Sequence, residues 1–463
     1  MSSVGAVVIM AAGKGTRMKS QTPKVRHPVA GLPMILWPVV AAQAAGAQRI
    51  VAVVGADDRL DDILPDSVES VVQQEARGTA DAVRSAGLAV TDSDTVLVLS
   101  GDVPLVDAAL ITQISEQHTA SGAAMTVVTA VLDDPTGYGR VVRDADGSVE
   151  KIVETKVDGD ASTAELALNE VNSGIYAFDR EKLFNALSEV GSDNAQGEYY
   201  LPDVLPILRE RGERVEAFVL DWSEYMLGVN NRVDLSLVQQ HMNRRITEHH
   251  QMRGVTVVDP ASTWIEGHVE IGEDTVIEPG TYLRGRTEIG SGCTVGPAST
   301  ITDSVIRDGA KVLHSYLVEC DVGPAVSVGP FAYLRPGAKL AEGSKAGTFV
   351  EIKNSNIGAG AKVPHLSYIG DADVGENTNL GAGTITANYD GRNKHRTEIG
   401  ANVRTGVDTS LVAPVSVGDG AYTGAGSVIT KDVPVDALAV SRARQTVIED
   451  YAKRKRDGSN DGD

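Results

Sequence analysis

Ile265-Glu266-Gly267-His268-Val269-Glu270-Ile271-Gly272-Glu273-Asp274-Thr275-Val276-Ile277 carries an aliphatic residue at every sixth position, and the beat continues through Leu283, Ile289, Val295 and Ile301. A period of six is no helix stripe, because about 3.6 residues per turn would smear those side chains around every face. It predicts a left-handed parallel β-helix of hexapeptide repeats, in which each step is one flat side of a triangular coil. The branched aliphatic points inward, a small residue (usually Gly) follows it, and polar residues face out. The period resumes at Val322, Val328, Leu334, Leu340, Ala346 and Ile352, at Ile357, Val363 and Ile369, and at Thr405, Leu411, Val417 and Thr423. Shorter steps and one inserted stretch, Tyr389 to Arg396, interrupt it, and the insertion is expected to leave the coil as a loop. Such coils stack their flat sides into trimers, and an ejected loop builds a site between neighbouring subunits.

Upstream the pattern changes. Strand-like runs at Ala6 to Met10, Ile50 to Val54, Thr95 to Leu99 and Met125 to Val131 alternate with helical stretches at Met34 to Ala45 and Ala80 to Leu88. That alternation predicts a Rossmann-like α/β domain with a mostly parallel sheet, whose ligands gather at the carboxyl ends of the strands. Val233, Leu237, Met242 and Ile246 between charged residues predict one amphipathic helix from Asn231 to Arg253. The expected domains are thus an α/β domain over 1–229, a linker helix over 230–253, a β-helix over 254–441 and a solvated tail over 442–463.

The 463 residues carry a formal charge of −21, which argues against a nucleic-acid partner but leaves room for anionic small substrates held by local cations. The two cysteines, Cys293 and Cys320, fit neither a disulfide framework nor a zinc site, so a reducing, cytoplasmic setting is expected. His268, His314 and His395 have no neighbouring histidine to share a zinc ion. The apolar run Val4 to Ala12 is too short to cross a bilayer and ends in a basic loop, so no membrane association is expected.

The first chemical motif follows the first strand: Ala11-Ala12-Gly13-Lys14-Gly15-Thr16-Arg17-Met18, with Pro23-Lys24 beyond it. Glycines let backbone N–H groups turn toward a phosphate, and Arg17 and Lys24 supply charge-assisted bonds. The spacing excludes a Walker A loop and a dinucleotide fingerprint, although two glycines alone could mark only a tight turn. This loop resembles the signature of sugar-1-phosphate nucleotidyltransferases. Further strings, Gly101-Asp102-Val103-Pro104, Gly137-Tyr138-Gly139-Arg140, Glu170-Val171-Asn172-Ser173-Gly174, Gly197-Glu198-Tyr199-Tyr200-Leu201 and Gly228-Val229-Asn230-Asn231-Arg232, extend the likeness. Combined with the coil, the chain resembles the bifunctional bacterial N-acetylglucosamine-1-phosphate uridyltransferases/glucosamine-1-phosphate acetyltransferases from Val4 to about Arg442.

That resemblance implies two reactions in sequence: acetylation of glucosamine-1-phosphate by acetyl-CoA, then uridylyl transfer from UTP to N-acetylglucosamine-1-phosphate with release of pyrophosphate. For the second, Ala11, Ala12, Gly13, Arg17 and Lys24 would hold phosphates, and Gln73, Gly78 and Thr79 would read the uracil edge. Gly139, Glu154 and Asn172 would hold the sugar, Glu154 having a plain alternative as a surface charge. Asp102 suits magnesium, a hard ion content with one or two protein oxygens. By resemblance Asn230 is the second ligand, with Asn231 the alternative. The family continues Gly78-Thr79 with Gly-His, whereas this chain has Ala80-Asp81, a negative charge near a triphosphate.

Acetyl transfer to an amine needs a base, and histidine suits that role near neutral pH. The resemblance assigns it to His365 in Pro364-His365-Leu366-Ser367-Tyr368. It places Arg335, Lys353, Tyr368, Asn379, Asn388, Tyr389 and Lys394 around the acceptor. Acetyl-CoA would meet Ala382, Val407, Ala425 and Arg442, with Val407 standing where the family commonly has Ser. A coil that served only for oligomerisation, or a binding protein that had lost catalysis, would have no reason to keep His365 with Arg335, Lys353 and Asn388, or Lys24 with Asp102 and Asn230. Assembly as a homotrimer is expected.

Overall fold

The computed structural model describes residues 4–13, 15–155, 161–193 and 197–457; Lys14 of the glycine-rich loop, Lys156 beside Glu154 and the end of the tail lie outside them. The chain divides between Arg245 and Ile246 into two compact units.

The first unit is built on a mixed sheet. Strands Val68–Gln73, Arg49–Gly55, Ala6–Met10 and Thr95–Ser100 lie side by side and parallel. Glu170–Asp179 pairs antiparallel with both Thr95–Ser100 and Met125–Val131, and Val215–Val219 runs parallel to Met125–Val131 at the edge. Strand residues alternate between two cores: Val7, Ile9, Leu97 and Leu99 in one, Ala6, Val8, Val96 and Val98 in the other. Burial on both faces explains why these strands read as unbroken apolar runs. One consequence governs the chemistry: polar groups can gather only where the strands end.

Two expected helices differ in extent. The first is Leu36–Ala44; ahead of it Met34 N and Ile35 N donate to His27 O (3.0 Å) and Val25 O (3.2 Å). The second is Thr79–Ser85, followed by a 3₁₀ turn at Gly87–Val90. The long amphipathic helix runs Arg232–Met252. Asn231 starts it, its side chain accepting from Val233 N (2.8 Å) and Asp234 N (3.0 Å), the bonds that an N-cap supplies.

The second unit is a left-handed parallel β-helix with three parallel sheets of 7, 10 and 9 strands, one to each flat side. Ile265, Leu283 and Ile301 stack in register on one side, Ile271, Ile289 and Ile306 on the next, and all are sealed in one core. The step from Ile301 to Ile306 is shorter than six, yet Ile306 still pairs with Ile289, so the missing residue is taken from a corner. Where Val374 pairs with Ile399 the rung is longer, and the surplus leaves the coil as expected. Tyr389 and Lys394 bridge antiparallel, and the Asp390 carboxylate closes the tip by accepting from Arg392 N (2.8 Å) and Asn393 N (2.7 Å).

Removing a fully buried rung residue should be expensive, since the coil backbone cannot collapse into the gap. Leu317→Ala is expected to lower the unfolding free energy by about 2–5 kcal/mol in a denaturant titration, while Tyr389→Ala at the loop tip stays within about 0.5 kcal/mol.

Candidate active sites

In the first unit four sequence-assigned residues converge. Ala11, Ala12 and Gly13 leave the strand Ala6–Met10 and the chain then turns at Gly15, whose φ is +57°. A Cβ there would lie 2.5 Å from Lys24 Cβ, so only glycine lets the lysine stem pass so close. The Lys24 ammonium pairs with Asp102 Oδ2 and reaches Asn230 Oδ1 at 3.2 Å, and Arg17 Nη2 donates to the same Asn230 oxygen at 2.9 Å. Asp102 Oδ1 accepts from Ser100 Oγ at 2.5 Å, and Val229 N donates to Asp102 O at 2.9 Å, tying the segment carrying Asn230 to the strand end. Of the alternatives at 230 and 231, Asn231 is spent on its helix cap and Asn230 faces the cluster.

Asp102 and Asn230 already present hard oxygens to one shared positive group, the Lys24 ammonium, and that donor set fits a divalent cation. Among the described residues no group of three or more His, Cys, Asp or Glu could hold a metal. A cation here therefore needs phosphate oxygens and water to complete its shell.

Gly139, Glu154 and Asn172 also come together. Asn172 N donates to Gly139 O at 2.9 Å, and a Cβ on Gly139 would lie 3.8 Å from Glu154 Oε1. Asn172 is the last residue paired, with Thr129, before the strand register shifts ahead of Tyr176, and its side-chain amide donates to Tyr176 Oη at 2.6 Å. Asp203, which sequence reasoning missed, lies close enough that burial and then the charge of Glu154 raise its carboxyl. Gln73 ends its strand beside Gly78, with Gln73 Nε2 donating to Gly78 O at 3.2 Å, and Thr79 Oγ1 accepts from Leu201 N at 2.9 Å. Asp81, read from the sequence as a charge near the phosphates, is instead turned inward at 5% exposure and engaged by Gln73 and Arg77.

In the coil a second polar cluster forms around a residue that the sequence reading passed over. Asp371 sits at a corner with φ of +50° and is 7% exposed. It accepts from Asn388 Nδ2 at 2.5 Å and Asn354 Nδ2 at 2.6 Å, with Lys353 Nζ at 3.5 Å. Burial would raise its carboxyl, but the two amides and the ammonium hold it below the usual carboxylate range. Tyr368 Oη lies 3.4 Å from Asn388 Nδ2. Lys394 meets Lys353 from the expelled loop: the contact raises Lys353, with Asp371 adding to it, and lowers Lys394. Arg335 is paired with Glu351 at 2.8 Å, which raises its guanidinium. The only signal for Asp371 was its place after Ile369-Gly370, where a corner residue is expected and an aspartate reads as a turn.

His365 closes the strand Lys362–His365 and is exposed; among the described residues no hydrogen bond or ion pair joins its ring to the Asp371 cluster. Above it the corners stack: Gly383 N donates to His365 O (3.2 Å), Asp408 N to Ala382 O (2.7 Å) and Gly426 N to Val407 O (2.8 Å). His365, Ala382, Val407 and Ala425 thus form one column on successive rungs. Asn379 bridges to Lys362 and Arg404 on the neighbouring column, Tyr389 is exposed on the expelled loop where it bridges to Lys394, and Arg442 is exposed.

An α/β sheet with a basic loop at its strand ends, joined in one chain to a hexapeptide coil with its own polar cluster, defines a nucleotidyltransferase carrying a second transferase. The Nucleotidyl transferase family model matches residues 6–226, and the bacterial transferase hexapeptide (six repeats) model matches 268–303. The bifunctional proteins GlmU of Mycobacterium ulcerans (strain Agy99) and Mycolicibacterium vanbaalenii are each 49% identical, covering 98% of this chain and 94% of their own length. That of Mycobacterium tuberculosis (strain ATCC 25177 / H37Ra) is 49% identical over 98% of this chain and 93% of its own. The chain belongs to the family of the bifunctional protein GlmU. It is a uridylyltransferase and acetyltransferase, and membership implies a divalent metal, a nucleotide sugar and acetyl-CoA. No helix among the described residues is long and apolar enough to cross a membrane.

Gly370 lets the second cluster close, since a Cβ there would lie 2.4 Å from Tyr368 Oη and 2.8 Å from Asn388 Nδ2. Gly370→Ala is expected to lower acetyl transfer by about tenfold or more and leave uridylyl transfer unchanged, as separate assays on one preparation will read.

Proposed function

We propose that this enzyme acetylates glucosamine-1-phosphate with acetyl-CoA and then joins N-acetylglucosamine-1-phosphate to the uridylyl group of UTP, releasing pyrophosphate. We assign the second reaction to residues 1–229 and the first to residues 254–441, on either side of the segment 230–253. The observation that carries the reading is the convergence of lysines, amides and one buried carboxylate around Asp371, which a coil used only for assembly does not need.

At the acetyl site the amino sugar arrives as an ammonium. His365, exposed and with no partner to its ring among the described residues, takes its proton, and the freed lone pair attacks the thioester carbonyl with the CoA thiol as leaving group. Lys353, Lys394 and Arg335 bind the phosphate, with Asn379, Tyr368 and Tyr389 about the sugar. Asp371 fixes the Asn388 amide so that its carbonyl oxygen is left for the acceptor. Acetyl-CoA follows the column Ala382, Val407 and Ala425, with Arg442 on a CoA phosphate.

At the uridylyl site Arg17, Lys24 and the backbone of Ala11 to Gly13 bind the triphosphate, Gln73, Gly78 and Thr79 the uracil, and Gly139, Glu154 and Asn172 the acetylated sugar. An oxygen of the sugar phosphate attacks the α-phosphorus and pyrophosphate leaves. Magnesium, held by Asp102 and Asn230, supplies neutralisation of phosphate charge when bound. Lys24 is freed from Asp102 and Asn230 as its ammonium turns to phosphate. We assign the enzyme to the cytoplasm as a homotrimer; exposed Phe331 and Phe349, stacked with centroids 5.5 Å apart on the coil surface, are apolar area suited to a neighbouring copy.

His365→Ala is expected to abolish acetylation of glucosamine-1-phosphate with uridylyl transfer nearly intact, and Asp102→Ala to do the reverse; equal loss of both activities in each variant, with folding preserved, contradicts two independent sites. Val407 presents an isopropyl group, 49% exposed, one rung beyond Ala382. Restoring a hydroxyl donor with Val407→Ser is expected to raise kcat of acetyl transfer several-fold, measured by thiol release.

A further inference from the structure

We infer that Asp81 sets the base specificity of the uridylyl site by locking the Gln73 amide in one orientation, so that the site takes a pyrimidine with a donor at its ring nitrogen N3 and rejects one with an acceptor there. The inference rests on the reading of Gln73 as the base contact. Gln73 is 4% exposed, and its Nε2 donates to Gly78 O at 3.2 Å and to Asp81 Oδ2 at 3.0 Å. A carboxylate and a peptide carbonyl can only accept, so both amide hydrogens are committed and Oε1 must face the other way. The lock is itself held: Asp81 Oδ1 accepts from Arg77 Nη2 at 3.0 Å, and Arg84 Nη1 lies 3.8 Å away. The same pairing raises the Arg77 guanidinium. Among the described residues Gln73 Oε1 receives no hydrogen bond from the protein, and it is not among the sealed, unpartnered atoms.

An acceptor oxygen held in this way matches the N3–H of a uracil ring. Cytosine offers a lone pair at the same position. In most amide-lined pockets a glutamine would rotate to meet it, but rotation here would set Oε1 against two acceptors inside the protein, at the cost of two buried bonds. Asp81 therefore acts as a positioning residue. Its charge, which at first sight opposes a triphosphate, is absorbed by Arg77 and Arg84 and serves the base instead.

The test is pyrophosphate release by the full-length enzyme with UTP and with CTP. Asp81→Asn keeps the shape but can donate as well as accept, so Gln73 regains the freedom to turn. The ratio of kcat/KM for UTP to that for CTP is expected to fall by at least about tenfold, mainly through KM. Asp81→Ser, which removes the charge without bulk, is the second variant should the first fold poorly, and it is expected to lose discrimination as well. An unchanged ratio in a folded variant overturns the inference. Gln73→Leu separates the two layers: if it leaves KM for UTP unchanged, the base contact itself is wrong and the inference falls with it. If Gln73→Leu raises KM while the Asp81 variants keep full discrimination, only the role of Asp81 fails.

Discussion

The interior of the triangular coil is filled by stacked aliphatic and small side chains, and that closure decides where chemistry can occur in the second unit. Ile271, Ile289, Ile306, Val322, Leu340, Ile357, Val374, Ile399 and Val417 fill one side without interruption. A charged group among them would lack both water and a partner. Everything reactive is therefore confined to corners, outward faces and the expelled loop. Asp371 is the instructive case. At a corner its backbone is left-handed, its carboxylate is largely shielded, and it survives as a charge because Asn354, Asn388 and Lys353 all turn to it.

The first unit reaches the same result by another route. Both faces of its sheet are covered, so Met10, Gln73 and Ser100 at the strand ends open onto the loops that hold the polar residues. There the excess of negative charge in the whole chain, −21, is reversed locally. Lys24 and Arg17 share one amide oxygen, and Lys24 also pairs with Asp102. An ammonium is a compact point charge on a flexible stem, able to leave one oxygen for another without rebuilding the backbone, which a guanidinium fork does less readily.

Much of this was legible in the residues. The six-residue beat identified most inward-facing rung positions, but not Ile306, Val312, Leu317, Val374, Ile399 and Ile429, which lie where the beat slips or beyond its last step, and the alternation of apolar runs with helical stretches gave the α/β unit. What escaped lies where one residue type serves two purposes. Leu36–Ala44 begins later than its apolar pattern, and Met34 and Ile35 ahead of it bond back to His27 and Val25, contacts that periodicity does not encode. Asp371 reads as a turn residue since aspartate favours such corners anyway. Asp81 reads as a charge near the phosphates at a helix start, and the approach of Gln73 and Arg77 reveals an inward role. The neighbouring asparagines at 230 and 231 are identical in composition, and a helix cap decides between them.

The hairpin from Asn388 to His395 closes on itself. Asp390 binds two backbone N–H groups at the tip and also meets His395 Nε2 at 2.7 Å, while His395 N returns to Asn388 O at 2.8 Å. Its shape is thus dictated by its own contacts at the rim, and the rungs on either side resume pairing at Thr397 as though nothing had been inserted. A fold of this kind behaves as a rack with an interchangeable fitting. Grafting a different loop at the same slot changes which small molecule is gripped and leaves the spine of stacked aliphatics as it was.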